Sequence, residues 1–224
     1  MKVAASLDGR TALLNGDSRW ITSPDARADG HAWRARADAI LTGIGTVLAD
    51  DPRLDVRLAP VQRQPTLAVV DSRLRTPVDA QLFQPLRDVH LYCTGGEGCA
   101  PTEDLAARGA RIVTLPGAIG RVDLRAMLAD LHGQGMAVLH VEAGAALNGA
   151  LLQAGLVDEV LLYLAPCLLG EGRPMAQFGP LVALSQMHSL AFDSIEKVGP
   201  DLRLIARLRP RQDALPERVT GIAG

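Results

Sequence analysis

The sequence predicts an α/β protein whose sheet is mostly parallel, covered on both faces, and made mixed by an antiparallel C-terminal hairpin. Three observations carry this. Short runs of apolar and β-branched residues alternate with segments of helical spacing along most of the chain. The strand signals at 191–198 and 201–208 follow one another with no helix between them, which predicts antiparallel pairing. The 224 residues, 48% hydrophobic and 21% charged, suit one large domain with a full core.

Taken in order, Lys2 to Ser6 reads as a short strand stopped by Asp8-Gly9, and Thr11 to Leu14 as a second one. Thr22-Ser23-Pro24-Asp25 supplies an N-cap, a proline at the first helical position and an acid in the first turn, opening a helix expected to reach about Ala37. A strand from Asp38 to Thr42 follows, then a Gly43-Ile44-Gly45 turn and a short helix from Thr46 to Ala49, stopped at Asp50-Asp51-Pro52. Strands are expected at 65–70, 89–94, 111–115 and 136–141, with helices at 101–108, 122–132 and 146–153. A strand at 158–164 leads into a Gly/Pro-rich loop from Cys167 to Pro180, and then the two final strands. The domain is expected to span 1–209 and a polar tail 210–224.

Composition excludes several functions. The net charge is −2 and aromatics are 3%, so there is neither a basic stripe nor a stacking surface for nucleic acid. No apolar run reaches the length of a signal-peptide core or a membrane span. Cys93, Cys99 and Cys167 have no metal-ligand spacing, which fits a reduced, cytoplasmic protein with no metal.

The chemistry gathers at strand ends, where open α/β sheets bind ligands. In the stretch 137–152 a buried-type strand ends at Glu142, breaks at Ala143-Gly144, and resumes as a helix; such a helix N-terminus offers backbone N–H groups to an anion. Gly43-Ile44-Gly45 resembles the start of a dinucleotide fingerprint, but Leu48 stands where its third glycine would be. Asp71 ends the next strand as a ribose-binding acid would, and Arg73 and Arg75 beside Ser72 would favour a 2′-phosphate. His140-Val-Glu142 with Pro166-Cys167 half-matches a zinc deaminase signature, yet Gly170 replaces the second cysteine; His140 is then a packed strand residue. Arg34 and Arg57 either lie solvated at the surface or form a bidentate phosphate pair. Pattern alone stops at an α/β protein binding a nucleotide or phosphorylated ligand.

Several segments together go further. Lys2-Val-Ala-Ala-Ser-Leu-Asp-Gly-Arg-Thr11, Ser18-Arg-Trp-Ile-Thr-Ser23, Ile40-Leu-Thr-Gly-Ile-Gly-Thr-Val-Leu-Ala-Asp-Asp-Pro52 and Val141-Glu-Ala-Gly144 occur in that order. Leu151-Leu-Gln-Ala-Gly-Leu-Val-Asp-Glu159, Leu164-Ala-Pro166 and Leu169-Gly170 continue the series. From Lys2 to about Leu208 the chain resembles the reductase domain of the bifunctional riboflavin biosynthesis deaminase-reductase. The resemblance implies a dihydrofolate reductase-like three-layer α/β/α fold, a homodimer, and NADPH as cofactor. It implies reduction of the ribosyl group of 5-amino-6-(5-phosphoribosylamino)uracil to ribityl, with the deaminase supplied elsewhere.

Carried over by position, the resemblance puts the cofactor against Ala4, Trp20, Thr46, Asp50, Ser72 and the turn Gly144, Ala145, Ala146, Leu147, Asn148, Gly149 and Ala150. It puts the substrate against Ser18, Arg34, Leu54, Arg57 and Glu142. Lys2 and Asp50 are then the candidates for proton handling, and Glu142 for orienting the substrate. The alternatives are another reductase of this fold acting on a pterin- or pyrimidine-like substrate, and a nucleotide-binding module without turnover.

Overall fold

The structure, a computed structural model, describes residues 1–58, 61–96 and 102–209. Its strands are β1 (Lys2–Ser6), β2 (Arg10–Leu13), β3 (Ala39–Gly43), β4 (Thr66–Val70), β5 (Val89–Cys93), β6 (Ala110–Thr114), β7 (Leu139–Val141), β8 (Glu159–Ala165), β9 (Gly172–Pro174), β10 (Leu190–Val198) and β11 (Asp201–Leu208). Its α-helices are α1 (Pro24–Arg34), α2 (Ile44–Asp50), α3 (Thr102–Ala107), α4 (Leu124–Gly133) and α5 (Ala145–Gln153). The expected tail 210–224, Pro101 at the expected start of α3, and Cys99 lie outside the described residues.

The strands form a parallel five-stranded sheet in the order β6-β5-β4-β3-β7, a four-stranded sheet in the order β1-β8-β11-β10, and a β2-β9 pair. The second sheet mixes directions: β1 runs parallel to β8, and β8, β11 and β10 alternate. Alternation along each strand of the parallel sheet explains its two covered faces. Ile40, Leu67, Val69, Leu91 and Cys93 pack on one face with Val47 of α2 and Leu105 of α3. Leu41, Ala68 and Tyr92 pack on the other with Met127 and Leu131 of α4 and Leu151 and Leu152 of α5. Helix α1 lies on the second sheet, where Ala26 joins Leu161 and Tyr163.

Four boundaries differ from the sequence reading, each for a local reason. Helix α1 stops at Arg34 because the next two bonds, Arg36 to the Trp33 carbonyl and Ala37 to that of Arg34, tighten to i→i+3 spacing. The Asp38 carboxylate then takes the amides of Ala137 and Val138 at 2.9 and 2.8 Å, so β7 begins only at Leu139. Gly43 is the N-cap of α2, and the helix already includes Ile44 and Gly45 rather than starting at Thr46. Within the expected 167–180 loop, β9 pairs with β2; three residues that include Gly172 and Pro174 carry no readable period.

Candidate active site

The carboxyl ends of β3, β4 and β7 open on one cavity of about 940 Å³, at the upper end of the size of ligand pockets. Six basic side chains line it, Lys2, Arg34, Arg73, Arg75, Arg121 and Arg173, against two acids, Asp50 and Glu142. The chain as a whole carries a net charge of −2, so this excess of positive charge is local. The chemistry it suits is an anionic ligand.

The wall nearest β7 is the start of α5. Gly144 is its N-cap and supplies no side-chain cap, and Ala145, Ala146 and Leu147 line the cavity. First-turn amides have no acceptor inside their own helix, so this end of α5 presents donors and a partial positive charge. Thr46 and Asp50 stand one turn apart on α2 and line the cavity, while Val47 points into the core. A Cβ on Gly144 would lie 3.8 Å from Thr46 Oγ1, which places the two helix starts side by side. Gly43 carries the same closeness, since a Cβ there would meet Leu147 Cδ2 at 3.3 Å.

Beyond β4 the chain makes a locked turn. Asp71 is fully buried, and its Oδ2 accepts the amide of Thr76 at 2.8 Å and its hydroxyl at 2.7 Å. The Leu74 side chain is buried at positive φ (49°), leaving Arg73 and Arg75 on the exposed side, where both line the cavity with Ser72. The sequence reading of Asp71 as a ribose-binding acid is therefore corrected: the residue is fully buried, its Oδ2 is engaged inside the turn, and it does not line the cavity.

The opposite end is a network of charges already paired. Arg34 donates through Nε and Nη2 to both oxygens of Glu142, at 2.6 and 2.9 Å, and through Nη1 to the Asp55 carbonyl. His140 Nε2 lies 3.2 Å from Glu142 Oε1, because residues two apart on a strand share a face. Burial raises the Glu142 carboxyl pKa, but the Arg34 charge outweighs it, helped by His140 and Lys2, and holds Glu142 well below the ordinary glutamate value. For Lys2, burial lowers the pKa; Glu142 opposes this and Arg34 adds to it. His31 is pushed down to about 4 by burial and by the charges of Arg34 and Arg57, so it is neutral at pH 7 and its Nδ1 accepts the Arg57 amide at 3.4 Å.

The structure brings together most of the residues singled out from sequence: Lys2, Ala4, Ser18, Arg34, Thr46, Asp50, Leu54, Ser72, Glu142, Gly144 to Leu147, and Ala150 all line the cavity. Four stand apart. Trp20 is exposed, with the Arg27 guanidinium 4.2 Å from its ring centroid. Arg57 pairs with the Asp55 carboxylate and its side chain is half exposed. Asn148 turns away to donate to the carbonyls of Ala143 and Met175, and Gly149 faces the backbone of Gln177, where a Cβ would sit 1.8 Å from the carbonyl oxygen. His140 is buried on β7, as read, and also contacts Glu142; its two-residue offset from that acid was the available signal. Arg121 and Arg173 were missed altogether. Arg121 follows β6, and the rule that ligands meet strand carboxyl ends would have flagged it. Arg173 sits on a strand too short to recognise.

Among the described residues there is no cluster of His, Cys, Asp and Glu that could hold a metal, and no helix long and apolar enough to cross a membrane.

Comparison with known proteins identifies the family. The chain is 42% identical to the riboflavin biosynthesis protein RibD of Escherichia coli over 91% of its own length and 58% of that protein's, so it spans little more than half of that relative. It is 40% identical to the 2,5-diamino-6-ribosylamino-4(3H)-pyrimidinone 5′-phosphate reductase of Methanothermobacter thermautotrophicus, covering 76% of this chain and 78% of that enzyme. Its structure superposes on Acinetobacter baumannii RibD with a TM-score of 0.80 at 33% identity, over 93% of this chain and 57% of the other. The shared fold, a parallel sheet beside a mixed one, is dihydrofolate reductase-like. Residues 1–204 match the family described as the RibD C-terminal domain, and the chain belongs to that family.

Proposed function

We propose that this chain reduces the ribosyl group of 5-amino-6-(5-phosphoribosylamino)uracil to ribityl in riboflavin biosynthesis, using NADPH. The observation that carries the reading is a cationic cavity with two unlike ends: arginines without a partner among the described residues and open helix amides at one, a prearranged Arg34–Glu142–Lys2 cluster at the other. The names of the relatives, riboflavin biosynthesis protein and pyrimidinone phosphate reductase, support the substrate class.

The cofactor half fits the residues present. The first-turn amides of α5 suit a pyrophosphate, Thr46 and Ala4 the nicotinamide end, and Ser72 with Arg73 and Arg75 the adenosine end. The nicotinamide supplies hydride, and the protein's part is to hold the acceptor carbon against it and exclude water. Glu142, kept ionised by Arg34, accepts hydrogen bonds from the pyrimidine or ribose and fixes its orientation. Lys2, whose ammonium is destabilised by burial, gives up or takes the proton that opening the ribose ring requires. Asp50, on the exposed face of α2, is the second group placed for that transfer. Arg34 and Ser18 hold the 5-phosphate end of the substrate beside Leu54, with Arg57 supporting them through Asp55. Trp20, Asn148 and Gly149 serve the cofactor indirectly, the last two by anchoring α5 to the 175–177 segment.

The domain spans 1–209, the deaminase reaction is performed by another domain or enzyme, and the protein works in the cytoplasm as a homodimer. The dimer reading rests on the edge strand β10, which leaves Leu190, Phe192 and Ile195 exposed. Light scattering on the purified chain reads the mass directly.

The test of the function is NADPH oxidation followed by absorbance. Oxidation that requires the phosphoribosylaminouracil is the expected result. Oxidation with a pterin instead, or binding of NADPH with no turnover on either, overturns it.

A further inference from the structure

Arg73, Arg75 and Arg121 line the same cavity, and none of their guanidinium groups has a hydrogen-bond or ion-pair partner among the described residues. Of the other basic groups that line the cavity, Arg34 is paired with Glu142, Lys2 is buried, and Arg173 comes from β9, which pairs with β2. Arg121 arrives from a different part of the chain, the connection between β6 and α4. That connection is built to hold it. The Gly117 amide donates to the Arg121 carbonyl at 2.7 Å, the Arg121 amide donates to Ala118 at 3.2 Å, and Pro116 bridges to the buried Val122. A Cβ on Gly117 would lie 2.9 Å from the Arg121 carbonyl oxygen and from the Asp123 amide, so only glycine fits this closure. Asp123 then caps α4 through the amides of Arg125 and Ala126.

Strand order fixes what such a cluster can meet. A pyrophosphate at the start of α5 sits at the end of β7; β4 lies two strands further across the sheet, about 10 Å away. That separation suits the distance from the pyrophosphate to the far ribose of an extended dinucleotide. We propose that Arg121 completes, with Arg73 and Arg75, a site for the 2′-phosphate of the cofactor and is the residue that makes this chain discriminate NADPH from NADH. The inference rests on the NADPH reading above and adds a specificity-determining residue to it.

Two arginines on one turn can grip a phosphate from one side; a third from the facing loop encloses the remaining oxygens in charge-assisted hydrogen bonds. NADH has nothing to place there, so removing Arg121 must spare it. The experiment is direct titration of the whole chain with NADPH and with NADH, monitored by nicotinamide fluorescence, in wild type, Arg121→Gln and Gly117→Ala. Arg121→Gln is expected to weaken NADPH about tenfold or more and leave NADH within about twofold, its unchanged NADH binding serving as the folding control. Gly117→Ala, which displaces the loop but keeps the arginine, should lose NADPH affinity by less and again spare NADH. A wild type that binds both dinucleotides equally overturns the NADPH reading itself. A wild type that discriminates, with an Arg121→Gln variant that discriminates as well or loses both ligands equally, overturns only the role of Arg121.

Discussion

The two ends of the cavity solve the problem of concentrated charge in opposite ways. At the β7–α1 end the charges are paired or buried: Arg34 is forked onto Glu142, Asp55 receives Arg53 and Arg57, and burial draws the Lys2 pKa down. At the β4–β6 end, three exposed arginines stand with no counter-charge among the described residues. The first arrangement is rigid before any ligand arrives, which is what orienting a reacting carbon requires. The second lowers its own repulsion only when an anion binds, which is what affinity and selectivity require. Loss of a group at the first end should therefore damage the protein and its turnover, and loss at the second should damage binding alone.

The largest expected break is Arg34→Ala. It leaves the mostly buried Glu142 carboxylate without its bidentate donor, and removing one partner of a buried pair costs about 3–5 kcal/mol. The melting temperature and kcat should both fall, and Arg34→Lys should restore little, because an ammonium cannot reproduce the fork. Gly149→Ala comes next. The new methyl runs into the Gln177 carbonyl, and overpacking of this kind costs about 1–3 kcal/mol. Since α5 serves both ligands, the KM for substrate and the Kd for NADPH should rise together, unlike any variant at the arginine end.

The acid limb of stability separates the ends by pH. Glu142 has a folded pKa well below its unfolded value, so its stabilising contribution is present above about pH 4.5 and is lost as pH falls through the lowered folded value. Glu142→Gln should flatten that part of the pH–stability curve, whereas Arg121→Gln should leave it unchanged. The smallest effect belongs to Arg57→Ala. Its side chain is half exposed and acts through Asp55, so a loss of up to about 1 kcal/mol is expected, seen as a severalfold rise in substrate KM with NADPH binding intact.

Much of the parallel sheet was legible because each strand is a short apolar run closed by a turn residue, and α1 because Ser23 caps it; the Asp123 cap of α4 was passed over, the helix being expected from 122. The cavity was legible where single residues stand at strand ends, as Glu142 and Ser72 do. What pattern could not reach was pairing across long separations. Nothing near Arg34 announces that its partner lies 108 residues away just past β7, and nothing near Asp71 distinguishes a ribose acid from a carboxylate folded back onto Thr76. Arg121 was hidden for the same reason: it lines one cavity with Arg73 and Arg75, on a turn almost fifty residues earlier in the chain.

The division of labour between the ends is tested most directly by steady-state kinetics and NADPH titration on one variant, Glu142→Gln. It keeps the shape of the site and removes the charge that Arg34 holds in place. The expected result is a fall in kcat for ribosyl reduction of about a hundredfold or more, equivalent to at least about 2.7 kcal/mol of transition-state stabilisation, with the Kd for NADPH within about twofold of wild type. Unchanged turnover, or a loss of NADPH affinity as large as the loss of turnover, would contradict it.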